Sequence, residues 1–162
     1  MSKGAGFAAA ALVVLGVVGC GSKDSVTLSG KVTNVSLAID QNALGTYLSG
    51  DFDLSLKLGS YASDPVSVEA PTFVLTDATT HSELGGRPLD ATTPDVSFPI
   101  EIDPGDERTI SFEIRGTEPL AVDVADRLCE GPLSIRGTVP HSLHGGGTEA
   151  FGSEAVTPEG CE

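Results

Sequence analysis

The stretch Phe52-Asp-Leu-Ser-Leu-Lys-Leu58 alternates apolar and polar residues without interruption. Successive side chains of a β-strand point to opposite faces, so this pattern predicts a strand with one face on a core and the other in water. The alternation recurs in Phe98–Ile102 and in Ile110–Ile114. Asp103-Pro-Gly-Asp106 joins these two segments and places proline and glycine at the central positions of a type II turn. We therefore predict that the two segments form a hairpin.

Shorter segments extend the strand pattern in both directions along the chain. Val66–Ala70 and Phe73–Leu75 read as two strands separated by a bulge or break at Pro71, because proline donates no hydrogen bond to a sheet. Further strands are predicted at 26–32, 35–39, 133–139 and 150–156. The segment Leu120–Cys129 has apolar residues at helical spacing and predicts a helix of two to three turns. Residues 76–93 read as a long polar connection.

These elements predict an all-β fold, an antiparallel immunoglobulin-like β-sandwich of about seven to eight strands with one short helix. A small barrel has the same periodicity and stays open as the alternative. The order of elements from Leu28 to Val139 resembles the water-stress and hypersensitive-response domain of some late-embryogenesis-abundant proteins, although the Asn-Pro typical of that family is missing. This resemblance implies a β-sandwich with a stabilising or binding role, and it carries over no catalytic residues.

The N-terminal residues have the pattern of an export signal. Lys3 and the apolar run Phe7–Val18 match its basic and hydrophobic regions, and the run is shorter than the roughly 20 residues of a membrane-spanning helix. The run ends in Val17-Val-Gly-Cys20, which resembles the bacterial lipobox. This resemblance implies that the thiol of Cys20 receives a diacylglycerol and that cleavage makes Cys20 the first residue. An ordinary signal peptide with a chance cysteine and an uncleaved anchor are the alternatives.

These features divide the chain into a helical lipoprotein signal peptide (1–19), an acylated cysteine with a polar tether (20–25) and a single β-sandwich domain (26–162). The length of 162 residues leaves enough chain after the signal for one domain with a core. No aspartate follows Cys20 directly. By the same resemblance we expect a lipid-anchored protein of the bacterial cell envelope, in the outer membrane rather than the inner, on its periplasmic or surface face.

The net charge of −14 excludes one class of partner. A chain this acidic is repelled by the phosphates of nucleic acid, so we expect no nucleic-acid binding. We expect a membrane contact through lipid on Cys20, and a protein or small-ligand partner of unspecified chemistry. No sequence motif calls for a cofactor.

Two further cysteines, Cys129 and Cys161, form an even pair once Cys20 is assigned to lipid. In an oxidising compartment such a pair predicts a disulfide, which would tie the C-terminal segment to the domain and contribute about 3 kcal/mol by restricting the unfolded chain. Two free thiols and a metal-binding pair are the alternatives.

Acidic side chains cluster at two places, and calcium binding is their sharpest functional interpretation. Asp103, Asp106 and Glu107 lie around the predicted turn, and Asp51 and Asp53 flank Phe52. Neither group has the spacing of a known calcium loop. Turns select aspartate and glycine for conformational reasons, so we interpret these residues as solvated turn residues and predict no metal site.

The histidines give no catalytic constellation. His141 and His144 lie between Pro140 and a run of glycines, which favours an exposed loop over a metal-binding helix, and His81 is isolated in the long connection. No nucleophile elbow or phosphate loop is present. We therefore predict no enzyme and no catalytic residue.

The function we predict is a membrane-anchored envelope lipoprotein with a non-catalytic binding or structural module. The alternatives are an exported hydrolase with a site built from loops, a calcium-dependent adhesion module, and a carrier with an apolar pocket for a small ligand.

Overall fold

The computed structural model describes residues 26–86 and 88–161, which form a sandwich of two sheets. All strand pairs are antiparallel. The first sheet has the order β1-β2-β8-β6 and consists of β1 (Leu28–Asn42), β2 (Gly45–Leu58), β6 (Ala91–Thr92) and β8 (Glu107–Ile114). The second has the order β5-β4-β9-β3-β7, with β10 also paired to β9; its strands are β3 (Val66–Val68), β4 (Thr72–Asp77), β5 (Glu83–Leu84), β7 (Ile100–Ile102), β9 (Leu133–His141) and β10 (Gly147–Gly152).

The predicted alternation on β2 places its apolar side chains between the sheets. Leu54, Leu56 and Leu58 are 0% exposed. Three phenylalanines from both sheets, Phe52, Phe73 and Phe112, form the centre of the core, with ring centroids 4.8 to 5.4 Å apart. Phe151 packs beside them, 5.7 Å from Phe73. The predicted antiparallel β-sandwich with one short helix, α1 (Val122–Leu128), is confirmed, and the barrel alternative is wrong because the strands form two separate sheets.

One prediction about strand partners is wrong. The segments on either side of Asp103–Asp106 do not form a hairpin, because β7 pairs with β3 in one sheet and β8 pairs with β2 in the other. The turn itself has the predicted chemistry: the amide of Asp106 donates to the carbonyl of Asp103 at 3.0 Å, and Gly105 has a φ of +85°. This turn therefore carries the chain from one sheet to the other.

The two strands predicted at 26–32 and 35–39 form one long strand, β1, with a β-bulge between them. The register of β1 against β2 shifts between Thr33 and Ser36, and Asn34 lies there in the left-handed region with a φ of +52°. The break at Pro71 separates β3 from β4 as predicted. The long connection 76–93 is more ordered than predicted, because it contains the two short strands β5 and β6.

The C-terminal segment after β10 joins the two sheets. Val156 exchanges backbone hydrogen bonds with Leu133 of β9, and Glu159 then bonds to Leu37 and Ile39 of β1. The predicted disulfide between Cys129 and Cys161 is present, and it fixes the end of this segment to the C-terminus of α1. Within the described ranges, no helix combines the length and apolar character needed to cross a membrane.

Candidate functional site

An apolar cleft lies at one end of the sandwich, between α1, β5 and the ends of β2 and β8. Its volume is about 300 Å³, at the lower limit for small-ligand sites. We call it the α1 cleft. Its lining is mostly aliphatic, with polar groups at the rim, and consists of Leu48, Leu75, Leu84, Gly85, Pro88, Leu89, Asp90, Ile114, Arg115, Gly116, Thr117, Glu118, Leu120, Val124 and Leu128.

Helix α1 forms one wall of the cleft. Ala125 and Leu128 are its buried residues, and Leu128 is 0% exposed. Asp123 in the first turn and Arg127 in the last complement the helix dipole. Val124, one turn before Leu128, is half-buried and faces the cleft. The helix is therefore held by Leu128, while Val124 is left in contact with the open space.

The loop that precedes α1 packs tightly against the hairpin of β1 and β2. The amide of Leu120 donates to the carbonyl of Thr46 at 2.7 Å. A Cβ atom at Gly116 would lie 2.6 Å from the carbonyl oxygen of Leu48, so only glycine fits this approach. The loop residues 115–120 are thus fixed beside the cleft by main-chain contacts.

The opposite wall comes from the connection between β4 and β6. Leu84 pairs with Leu75 through β5, and the amide of Leu89 donates to the carbonyl of Phe73 at 2.7 Å. These bonds turn the aliphatic side chains of an otherwise polar segment toward the core. Hydrogen bonds to the second sheet at both ends therefore hold this wall in a fixed position.

The polar groups at the rim are engaged with one another. The hydroxyl of Thr117 donates to Asp90 at 3.3 Å, and the guanidinium of Arg115 donates twice to Glu113, at 2.5 and 2.9 Å. Glu118 also lines the rim. The cleft is chemically an aliphatic pocket with acidic residues at its entrance, suited to an apolar group rather than to an anion.

A wider groove of about 880 Å³ crosses the outer face of the second sheet. Half of its lining consists of hydroxyl and glycine residues, among them Thr72, Thr138 and Ser134. Arg136 lies there within 3.1 Å of His81. Because binding sites for small molecules are predominantly apolar, the α1 cleft is the stronger candidate.

Among the acidic residues considered as calcium ligands, Asp103, Asp106 and Glu107 are exposed at the turn between β7 and β8. Glu107 accepts a short hydrogen bond from Ser55 on the neighbouring strand, and the carbonyls of Asp103 and Asp106 bond to main-chain amides at the turn. No group of three or more potential metal ligands comes together in the ranges 26–86 and 88–161.

Asp53 lies on the outer face of the first sheet in a small polar network. It accepts hydrogen bonds from the hydroxyl of Ser111 at 2.6 Å and from the side-chain amide of Asn34 at 2.7 Å. These bonds stabilise the carboxylate and lower the pKa of Asp53, the bond from Ser111 having the larger effect. The amides of Thr80 and Thr79 lower the pKa of Asp77 in the same way at the turn after β4.

The histidines do not converge. His141 ends β9, and His144 lies in a short 3₁₀ turn (Leu143–Gly145) with a φ of +54°, so no helix face joins them. His81 lies near Arg136, on the outer face of the second sheet. The lipidation candidate Cys20, the signal peptide 1–19 and the whole tether lie outside the described residues and stay predictions.

The cleft is the feature that sequence reasoning missed. Its apolar residues are scattered over four segments, and no single segment has a motif. Only Leu84 and Leu89 could have indicated it, because they are isolated aliphatic residues in an otherwise polar connection. Such residues need a buried partner, and here they line the cleft.

Comparisons with known proteins add little to this account. No protein-family model matches the sequence, and no curated protein matches it. The resemblance to the water-stress domain therefore stays a prediction. Among solved structures, the chain is similar to the crystal structure of self-complemented MyfA, the major subunit of Myf fimbriae from Yersinia enterocolitica, at 14% identity and a TM-score of 0.40; the match covers 82% of this chain and 99% of that one.

Proposed function

We propose that the chain is a bacterial envelope lipoprotein, anchored by acyl chains on Cys20, whose β-sandwich is a non-catalytic binding module. The α1 cleft is its binding site and takes a small apolar group. The observation that carries this proposal is the cleft itself: aliphatic walls fixed by main-chain bonds, about 300 Å³ of space, and polar groups only at the rim.

Two features of the chain support export to the envelope. The disulfide between Cys129 and Cys161 belongs to an oxidising compartment. The lipobox-like run before Cys20 supplies the anchor, since two or more acyl chains hold a protein firmly to a bilayer at about 0.8 kcal/mol per buried methylene. The domain would then act at a membrane surface, in the periplasm or outside the cell.

The cleft is tested with a neutral apolar dye, N-phenyl-1-naphthylamine, whose fluorescence rises in apolar surroundings. We expect saturable binding to the purified protein. Val124→Phe should abolish it, because the larger side chain fills the cleft. Val26→Phe is the matched control, since Val26 is 37% exposed, lies outside the lining and undergoes the same change of side chain. Equal dye binding by wild type and Val124→Phe, with both folded by circular dichroism, would refute the cleft as the site.

The anchor is tested separately by growing cells with a clickable fatty acid. The wild-type chain should be labelled and fractionate with membranes. Cys20→Ala should carry no label, whereas Cys161→Ala keeps it. Equal labelling of wild type and Cys20→Ala would remove the lipid anchor and leave the binding module to be judged on its own.

A further inference from the structure

The end of the molecule that holds the α1 cleft also carries two highly exposed apolar side chains. Leu44, at the tip of the β1–β2 hairpin, is 82% exposed, and Val122, at the start of α1, is 78% exposed. Isolated exposed side chains of this kind are common on monomers, but contiguous apolar surface marks binding regions. The question is therefore whether these two residues and the cleft form one surface.

Close packing and one main-chain hydrogen bond bring the hairpin tip and the start of α1 together. A Cβ atom at Gly45 would lie 2.8 Å from the Cβ of Pro119, and the amide of Leu120 bonds to Thr46. Leu44 directly precedes Gly45, and Val122 follows Leu120 by two residues. The hairpin tip is itself held in shape by a 2.8 Å hydrogen bond from the amide of Leu44 to the side chain of Asn42. Leu44 and Val122 thus flank the loop that borders the cleft.

The charge around this surface is negative. In both segments that border it, 83–90 and 113–130, acidic residues outnumber basic ones. Arg115, a basic residue at the rim, is paired with Glu113. Positive charge on a partner that covers the apolar surface is therefore complementary to it, whereas a second copy of this acidic chain would be repelled.

We propose that the surface formed by the α1 cleft, Leu44 and Val122 binds a cationic segment of a partner protein. An aromatic or aliphatic side chain of that segment enters the cleft, and flanking lysine or arginine residues lie over the acidic rim. The arrangement has the usual anatomy of an interface, with an apolar centre surrounded by polar residues. This inference rests on the proposed function, because it uses the same cleft and names the class of its occupant.

The test uses short fluorescein-labelled peptides and the full mature chain in fluorescence anisotropy. The peptide Lys-Lys-Phe-Lys-Lys should bind, and binding should weaken as salt is raised. Replacing its phenylalanine by alanine should weaken binding about tenfold or more, since a buried phenylalanine contributes enough apolar area for that change. Replacing its lysines by glutamates should abolish binding.

Two variants of the chain locate the contact. Leu44→Ser should weaken binding of the lysine peptide about fivefold, because it removes part of the apolar surface. Tyr61→Ser is the matched control: Tyr61 is also well exposed, at 64%, but it lies at the opposite end of the sandwich. Both side chains are largely in solvent, so neither change should affect folding.

The outcomes separate this inference from the proposed function. If the dye binds the cleft and the lysine peptide neither binds nor displaces it, the cleft stands and the cationic partner is refuted. Equal affinities for the lysine and glutamate peptides also refute it, as does self-association of the chain that buries Leu44. Displacement of the dye by the lysine peptide, lost in Leu44→Ser and kept in Tyr61→Ser, supports it.

Discussion

At the scale of single residues, Phe151 shows how the two sheets meet at their edge. Its ring lies over two glycines, one in each sheet: a Cβ atom at Gly137 would be 2.5 Å from the ring, and one at Gly30 would be 3.0 Å from it. The added Cβ at Gly137 would also lie 2.5 Å from the carbonyl oxygen of Thr72, which is fixed in β4. The carbonyl of Thr72 therefore cannot give way without moving β4.

We expect Gly137→Ala to lower the free energy of unfolding by about 1 to 3 kcal/mol, the usual cost of overpacking a core. Gly131→Ala is the control, because a Cβ atom there meets nothing within 4 Å. Urea unfolding followed by circular dichroism measures the difference. If the urea midpoints of both variants equalled that of the wild type, Phe151 would not close the core over Gly137.

Asp53 gives the molecule a pH dependence that can be traced to two hydrogen bonds. Ser111 and Asn34 stabilise its carboxylate and lower its pKa in the folded state. A lowered folded pKa contributes stability above the unfolded value of about 3.9, and this contribution is lost as the pH falls from there through the folded pKa. The contribution is small because the group is largely solvated.

We expect Asp53→Asn to lose less stability than the wild type when the pH is lowered from about 5 to 3, the window around the ordinary aspartate pKa. Ser111→Ala should act in the same direction, because it removes the shorter of the two hydrogen bonds. Ser29→Ala is the control, since its hydroxyl contacts the carbonyl of Lys57 and no carboxylate. If Asp53→Asn and Ser111→Ala both lost as much stability between about pH 5 and pH 3 as the wild type, this role of Asp53 would be contradicted.

At the scale of elements, the sequence pattern predicts strands better than it predicts their partners. The alternation in Phe52–Leu58 depends only on local burial, and the strand is present as expected. The partner of β7 depends on which sheet presents a free edge, and that is decided by residues far along the chain. For this reason the turn Asp103–Asp106 was correctly predicted, while the hairpin was not.

The C-terminal segment is the element most dependent on the disulfide. Residues 153–161 cross from β9 to β1, where Glu159 bonds to Leu37 and Ile39, and the link from Cys161 to Cys129 holds the crossing in place. A sequence separation of 32 predicts a stabilisation of about 3 to 4 kcal/mol from the restricted unfolded chain.

We expect the double variant Cys129→Ser/Cys161→Ser to lose most of that free energy in urea unfolding. Hydrogen exchange should show where the loss begins: the amides of Ile39 and Glu159 should exchange faster, whereas the amide of Leu54 in the central strand keeps its protection up to global unfolding. Unchanged exchange at Ile39 would show that the segment is held to β1 without the disulfide.

At the scale of the whole molecule, the path of the chain places the first described residues and the α1 cleft at opposite ends of the sandwich. The first described residues lie at one end of the sandwich, where the amide of Gly59 bonds to Thr27. The α1 cleft is at the other end, since Leu48 lies ten residues from Leu58 along β2, or about 33 Å at the usual rise of a strand. No local pattern in the sequence could predict this separation, because it requires the pairing of β1 with β2 and the position of α1.

With acyl chains on Cys20 and only a short tether before β1, this polarity predicts that the cleft faces away from the membrane. The prediction is tested by attaching a fluorophore to Leu44→Cys at the cleft end or to Tyr61→Cys at the N-terminal end, in lipidated protein reconstituted into vesicles that carry an acceptor dye in their headgroups. Both positions are exposed, so each accepts a label without disturbing the core. Energy transfer to the membrane should be stronger from position 61 than from position 44, because the two ends are about 30 Å apart.

The control is the same two labelled variants made in Cys20→Ala protein, which should give no energy transfer to the vesicles. Equal transfer from both positions would mean that the sandwich lies flat on the bilayer, and a cationic protein segment would then reach the cleft only from the side.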